Sequence, residues 1–272
     1  MLTRILTALV LVPLVVAGVL YLPTSALALI LALAVAAGGW EWSRLAGLQS
    51  GGARLLFLLL LSLLLAAAAL LIHYRWSWGY WLFAAASGWW LLVTLMLPGY
   101  RPGRAPTGGA AAKSLFGLLV LVPAWASLVV IHGVDPQGPR LLLFLMVLIW
   151  VADSFAYFAG RRWGRTKLAP VISPGKTREG VYGALAGAVL CGGGLVWLMP
   201  QGNPLLLILF CLLIVLVSVV GDLFESLMKR QAGVKDSGSL LPGHGGMLDR
   251  IDSLTAAAPL FLLGLLLLGE AG

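Results

Sequence analysis

The sequence predicts an all-α, polytopic membrane protein of about nine transmembrane helices, with a cytoplasmic N-terminus and a C-terminus on the opposite side. Three observations carry this prediction. Of 272 residues, 61% are hydrophobic and only 10% are charged, whereas soluble domains are roughly a quarter charged. Apolar runs close to the length of about 20 residues that a helix needs to cross a hydrocarbon core recur along the chain. When those runs alternate across a bilayer, sixteen of the eighteen Lys and Arg residues fall on one side, leaving Arg75 and Arg140 on the other. Positive charge collects in cytoplasmic segments, so topology accounts for the net charge of +8 and nucleic acid is not an expected partner.

The first run, Ile5 to Leu22 after Arg4, has the outline of a secretory signal, with Ala26-Leu27-Ala28 resembling a cleavage site. A second apolar run begins at once, so the segment is read as a span. The expected spans are 5–22, 24–40, 54–72, 77–97, 114–131, 141–159, 180–199, 204–224 and 253–269. The second is short and ends in glycines, which predicts a span that sits shallow or tilts little. Trp40, Trp42, Trp76, Trp78, Trp81, Trp89 and Trp90 lie near predicted ends, as an interfacial aromatic belt requires. Pro98 to Thr107 reads as a flexible connector. Glu41 and Arg44, three apart at a helix end, predict a local ion pair with no part in catalysis. His73 and His132 are expected at the opposite interface, apart from each other. Cys191 and Cys211 lie in apolar runs and are read as packing residues.

Chemistry concentrates in two polar stretches. Between spans six and seven, Asp153 falls in an apolar run, where an acid is costly. It either acts directly or forms a buried pair with Arg161 or Arg162. Beyond it come Arg161, Arg162, Arg165, Lys167, Lys176 and Arg178, with a turn at Ser173-Pro174-Gly175. Gly175-Lys176-Thr177 has the form of a P-loop tail, but the glycine that motif requires five positions earlier is Pro170, so the match fails. What remains is a basic, turn-rich loop with backbone donors suited to a polyphosphate.

The second stretch follows span eight. Ser218, Asp222, Glu225, Ser226 and Lys229 share one helical face. Asp249 and Asp252 are again three apart and share a face if the last helix begins there. Carboxylates converging from two elements suit Mg²⁺, which takes one or two of them together with phosphate oxygens. Lys229, Arg230, Lys235 and Arg250 would neutralise phosphate charge, and Pro242-Gly243-His244-Gly245-Gly246 would admit a ligand close to the backbone. His244 is a base, a phosphate donor or a holder of the turn, and the sequence leaves these open.

The run from Ser226 through Lys229-Arg230, Lys235-Asp236-Ser237-Gly238 and Leu241-Pro242-Gly243-His244-Gly245-Gly246-Met247 to Asp249-Arg250-Ile251-Asp252 resembles, without a gap, the signature of the phosphatidate cytidylyltransferases, the CDP-diacylglycerol synthases. Asp153 to Phe158, Gly160-Arg161, Ser173 to Thr177 and Gly221 to Ser226 resemble that family's upstream motifs. The family's usual Gly-Lys step is Gly164-Arg165 here. The resemblance covers roughly Ala152 to Asp252. It implies an integral membrane enzyme that makes CDP-diacylglycerol and pyrophosphate from CTP and phosphatidic acid with Mg²⁺, with room for a second cation. It implies Asp222 and Asp249 as metal ligands, with Asp236 and Asp252 as close candidates. Lys229, Arg230, Lys235, His244 and Arg250 complete the expected catalytic set. Asp153, Arg161, Lys167, Ser173, Lys176, Thr177, Ser226, Gly245 and Gly246 are expected to bind substrate.

The expected organisation is one membrane unit. Residues 1–140 supply five N-terminal spans, and residues 141–272 supply a catalytic region with cytoplasmic loops 160–179 and 226–252. A bacterial inner membrane and a homodimer are expected. A CTP-dependent polyprenol or dolichol kinase meets similar physical demands, but the complete signature argues against it. An ion-coupled transporter would place its acids near the bilayer midplane, whereas these cluster at one end. The D-G-x2-A-R pattern of the CDP-alcohol phosphotransferases does not occur.

Overall fold

A computed structural model of the chain describes residues 2–74, 76–97, 108–240 and 245–268. Among these it has nine helices: α1 (Leu2–Tyr21), α2 (Thr24–Leu45), α3 (Gly51–Tyr74), α4 (Trp76–Met96), α5 (Ala110–His132), α6 (Gly138–Trp163), α7 (Arg178–Leu198), α8 (Pro204–Gln231) and α9 (Leu248–Leu267). A short antiparallel hairpin, β1 (Lys167–Ala169) and β2 (Ser173–Thr177), joins α6 to α7. Among the described residues, each expected apolar run falls in its own helix to within a residue at the ends. Seven helices, α2, α3 and α5 to α9, are long and apolar enough to cross a membrane, while the apolar stretches described in α1 and α4 are shorter. The architecture is that of an integral helical membrane protein.

Burial separates the helices by role. In α3, Phe57, Leu61, Leu65 and Ala68 form one buried stripe, while Leu55, Leu59, Leu63 and Leu70 remain exposed. A helix apolar all round that buries one stripe suits a lipid-facing position. By contrast, α5 is buried continuously from Val120 to Leu128, and α9 from Ser253 to Pro259, which makes these two the centre of the bundle. At one end of the bundle, the His132 ring bonds Thr24 Oγ1 and the Val19 carbonyl, each at 2.9 Å. At the other end, Trp42 Nε1 donates to the Lys113 carbonyl at 2.8 Å. Thus α2 and α5 run in opposite senses, and the second end is the one that carries the polar stretches.

Several expectations change. The second span does not stop at its glycines, because α2 continues through Gly38-Gly39 to Leu45. Those glycines permit close packing: a Cβ at Gly38 would lie 3.2 Å from Leu248, and one at Gly39 would collide with Leu61. Trp42 and Trp90 are core residues, 1% and 2% exposed, whereas Trp40 and Trp81 are exposed as a belt requires. His132, at the last residue of α5, is buried within that end of the bundle. Phe224 gathers Trp42, Trp89, Trp90 and Phe116 at centroid distances of 5.8–6.3 Å, tying α2, α4 and α5 to α8. The connector from Pro98 to Thr107 and the side chains of Trp76 and Trp78 lie outside the described residues, as does the segment 241–244 with His244.

Candidate active site

Helix α8 lays down the first row of the site. Pro204 opens it, and Asn203 Oδ1 accepts the Leu205 and Leu206 amides at 3.0 and 3.3 Å, satisfying N–H groups that a helix start leaves unpaired. At its far end the three-or-four spacing acts as expected. Ser226 Oγ donates to Asp222 Oδ1 at 3.3 Å, and Lys229 Nζ donates to Glu225 Oε1 at 3.1 Å. Gly221 brings in the second row: a Cβ there would lie 2.8 Å from the Asp252 carbonyl oxygen and from Ala256 Cβ. Backbone therefore meets backbone, and Asp252 sits where the charges of Asp222 and Glu225 act on it.

Asp249, in the first turn of α9, is held from every side. Its Oδ1 accepts Lys229 Nζ at 2.6 Å. Its Oδ2 accepts the Gly246 amide at 2.8 Å and both the amide and the hydroxyl of Ser237 at 3.0 Å. Gly245 has φ +82°, and a Cβ there would lie 2.7 Å from Asp249 Oδ2, so glycine is required for both conformation and space. Lys229, 7% exposed, is thus clamped between Glu225 and Asp249.

The hairpin closes the site from the other side. The Arg165 amide donates to Glu179 at 3.1 Å, and the Thr166 amide to the same carboxylate at 3.2 Å. The Arg178 amide returns to the Thr166 carbonyl at 2.9 Å. From β2, Lys176 Nζ reaches Asp222 Oδ2 at 2.5 Å. This contact joins the two polar stretches of the sequence. Asp153, on the exposed side of α6, lies within electrostatic reach of Asp222, Lys176 and Arg250. Arg161 is not its partner, since it donates to the Tyr157 hydroxyl at 2.8 Å.

Some expected site residues have structural duties. Thr177 is buried and caps α7, accepting the Gly180 amide on Oγ1 at 3.1 Å. Ser226 orients Asp222. Gly245 and Gly246 wrap Asp249. Arg230 donates to the Ile172 and Val234 carbonyls at 3.2 and 3.1 Å, holding the hairpin turn to the end of α8. Lys167, Arg165, Lys235, Asp236 and Arg250 are exposed, Ser173 is half-buried, and none of them forms an ion pair among the described residues.

The sequence reading missed Glu41. It does not pair with Arg44, which is exposed. Its Oε2 accepts Ser237 Oγ at 2.7 Å and the Leu248 amide at 2.9 Å, and its Oε1 accepts the Met247 amide at 2.9 Å. A residue of the N-terminal helices thus contacts the 226–252 loop and the start of α9. The available signal was an acid in an otherwise apolar helix, which the nearby Arg44 seemed to explain.

Residues 2–268 match the model of the cytidylyltransferase family. The chain is 45% identical to the phosphatidate cytidylyltransferase of Pseudomonas aeruginosa over 95% of this chain and 94% of that protein. It is 41% identical to the Haemophilus influenzae protein of the same name, over 65% of each. It is 40% identical to the Brucella abortus one, over 66% of this chain and 73% of that protein.

Proposed function

The chain belongs to the cytidylyltransferase family, and from that premise we propose that it transfers the cytidylyl group of CTP to phosphatidate, giving CDP-diacylglycerol and pyrophosphate. The observation that carries the reading is the Lys176–Asp222 contact of 2.5 Å. It joins a basic hairpin suited to a polyphosphate to carboxylates suited to a metal, at one end of a membrane bundle. The lipid phosphate oxygen attacks the α-phosphorus of CTP, a new P–O bond forms, and the bond to the β-phosphate oxygen breaks as pyrophosphate leaves. No protein nucleophile is required, because positioning and charge neutralisation supply most of the catalysis in such transfers.

The residue roles follow from what each side chain is free to do. Lys176 exchanges Asp222 for the triphosphate, while the exposed Lys167, Arg165 and Arg250 neutralise its remaining charge. Asp222 and Asp249 would hold Mg²⁺. The donor set fits such an ion: Asp153, Asp222, Glu225, Asp249 and Asp252 outnumber Lys176, Lys229 and Arg250 within one electrostatic web. Among the described residues no group of three or more His, Cys, Asp or Glu residues is arranged to hold a metal, so an ion held by Asp222 and Asp249 would need substrate phosphates and water to complete its shell. When bound, the metal would polarise the α-phosphate and offset charge on the attacking and leaving oxygens.

The same reading puts all nine helices across a bacterial inner membrane, with the site facing the cytoplasm where CTP is found. The 16-to-2 distribution of Lys and Arg supports it. Ser239, exposed in the loop after α8, tests this when replaced by Cys: labelling from the cytoplasmic side alone is expected, and labelling from the outside would overturn it. The functional test is incorporation of labelled CTP into lipid by the purified chain. Phosphatidate should be labelled with equimolar pyrophosphate release, dependent on Mg²⁺. Transfer to a polyprenol acceptor instead of phosphatidate would overturn the assignment.

A further inference from the structure

Two carboxylates grip the same loop from opposite sides. Asp249 takes the Ser237 amide and hydroxyl and the Gly246 amide, all on Oδ2. Glu41 takes the Ser237 hydroxyl and the amides of Met247 and Leu248. Ser237 Oγ stands between them, 2.7 Å from Glu41 Oε2 and 3.0 Å from Asp249 Oδ2, with a single proton to donate.

The Glu41 contacts are those of a helix cap supplied by another helix. Met247 stands at the N-cap of α9 and makes no side-chain cap bond of its own. The first amides of a helix lack intrahelical partners and carry the positive end of its dipole, so a carboxylate from outside is well suited to satisfy them. Glu41 is 4% exposed, and no cation lies within ion-pair distance of it among the described residues. Its charge is therefore balanced by these N–H and O–H donors. The fit is close on the loop side as well: a side chain at Gly238 or Gly246 would collide with the Glu41 carboxylate.

The helix that presents Glu41 is itself fixed. Trp42 is 1% exposed, donates to the Lys113 carbonyl at 2.8 Å and packs on Phe224. The close approach at Gly38 sets α2 against Leu248 and Ile251. A rigid carboxylate thus reaches from the N-terminal helices into the loop that orients Asp249.

We infer that Glu41 is a positioning residue, which caps α9 from α2 and through Ser237 fixes the orientation of the Asp249 carboxylate for a divalent cation. The inference rests on the reading of Asp249 as a metal-holding residue. Partners that orient a metal ligand typically contribute ten- to a hundredfold in metal affinity. Glu41→Gln keeps the shape but turns an amide donor towards other donors.

The test uses the full chain in detergent, with Mn²⁺ as the probe and its binding read by electron paramagnetic resonance of the free ion. Glu41→Gln should weaken Mn²⁺ binding about ten- to a hundredfold, with turnover recovering towards wild type as Mn²⁺ is raised. Ser237→Ala should weaken it by a smaller factor while retaining native helicity, and Asp249→Asn should remove it. Wild-type affinity in Glu41→Gln alongside loss in Asp249→Asn would overturn the role of Glu41 and leave the metal assignment standing. If Glu41→Gln fails to fold, unchanged Mn²⁺ affinity in Ser237→Ala overturns it instead. Affinity unchanged in Asp249→Asn would overturn the metal assignment, and the inference with it.

Discussion

The two polar regions that meet at Asp222 are built in opposite ways. The signature region, from Asp222 to Asp252, is cross-linked. Lys229 is clamped by two carboxylates, four donor groups lie within hydrogen-bond distance of Asp249, and Glu41 fastens the loop from a distant helix. The hairpin region, from Arg161 to Arg178, is anchored at its edges by Glu179, Thr177 and Arg230. Its long cations Arg162, Arg165 and Lys167 stay exposed. Under the proposed function, one region would hold its carboxylates in place, and the other would offer exposed cations to an anion that comes and goes. A fixed carboxylate set costs little reorganisation when charge develops. Free cations favour entry and release of a polyphosphate from solution.

This contrast is broken most severely on the fixed side. Asp249→Asn should lower pyrophosphate release at least about a hundredfold, the scale seen when one preorganised electrostatic group is removed. Near-normal turnover would show that Asp249 serves the fold alone. Lys229→Met should act on stability first. It leaves Glu225 and Asp249 buried beside each other without their shared cation, a change of about 3–5 kcal/mol for a broken buried pair. A thermal melt in detergent checks this, and an unchanged Tm would mean that water reaches the cluster. On the hairpin side, Lys176→Ala should raise the KM for CTP about tenfold, the scale of one charge-assisted hydrogen bond, with the KM for phosphatidate unaltered.

Much of this was legible in the sequence, because periodicity and charge act locally. Each apolar run became a helix, and the spacing of Asp222, Ser226, Glu225 and Lys229 gave the observed i,i+4 contacts. The sequence did not reveal what depends on distant partners. Glu41 finds its donors about 200 positions away, at Ser237, Met247 and Leu248, whereas spacing alone offered Arg44. Thr177 and Ser226 had the right chemistry for phosphate, yet the orphan amides of α7 and the carboxylate of Asp222 claimed them first. The hairpin was hidden because strands of three and five residues, the second containing Pro174 and Gly175, carry no alternating pattern.

The central claim is that the cross-linked region and the hairpin region form one site, and Lys176 and Asp222 are where they touch. The most direct measurement is a double-mutant cycle of CTP affinity across wild type, Lys176→Ala, Asp222→Asn and the double variant. Groups in contact couple by about 0.5–3 kcal/mol, and a coupling of that size is the predicted result. Effects that add to within about 0.3–0.5 kcal/mol, as for distant sites, would contradict a shared site.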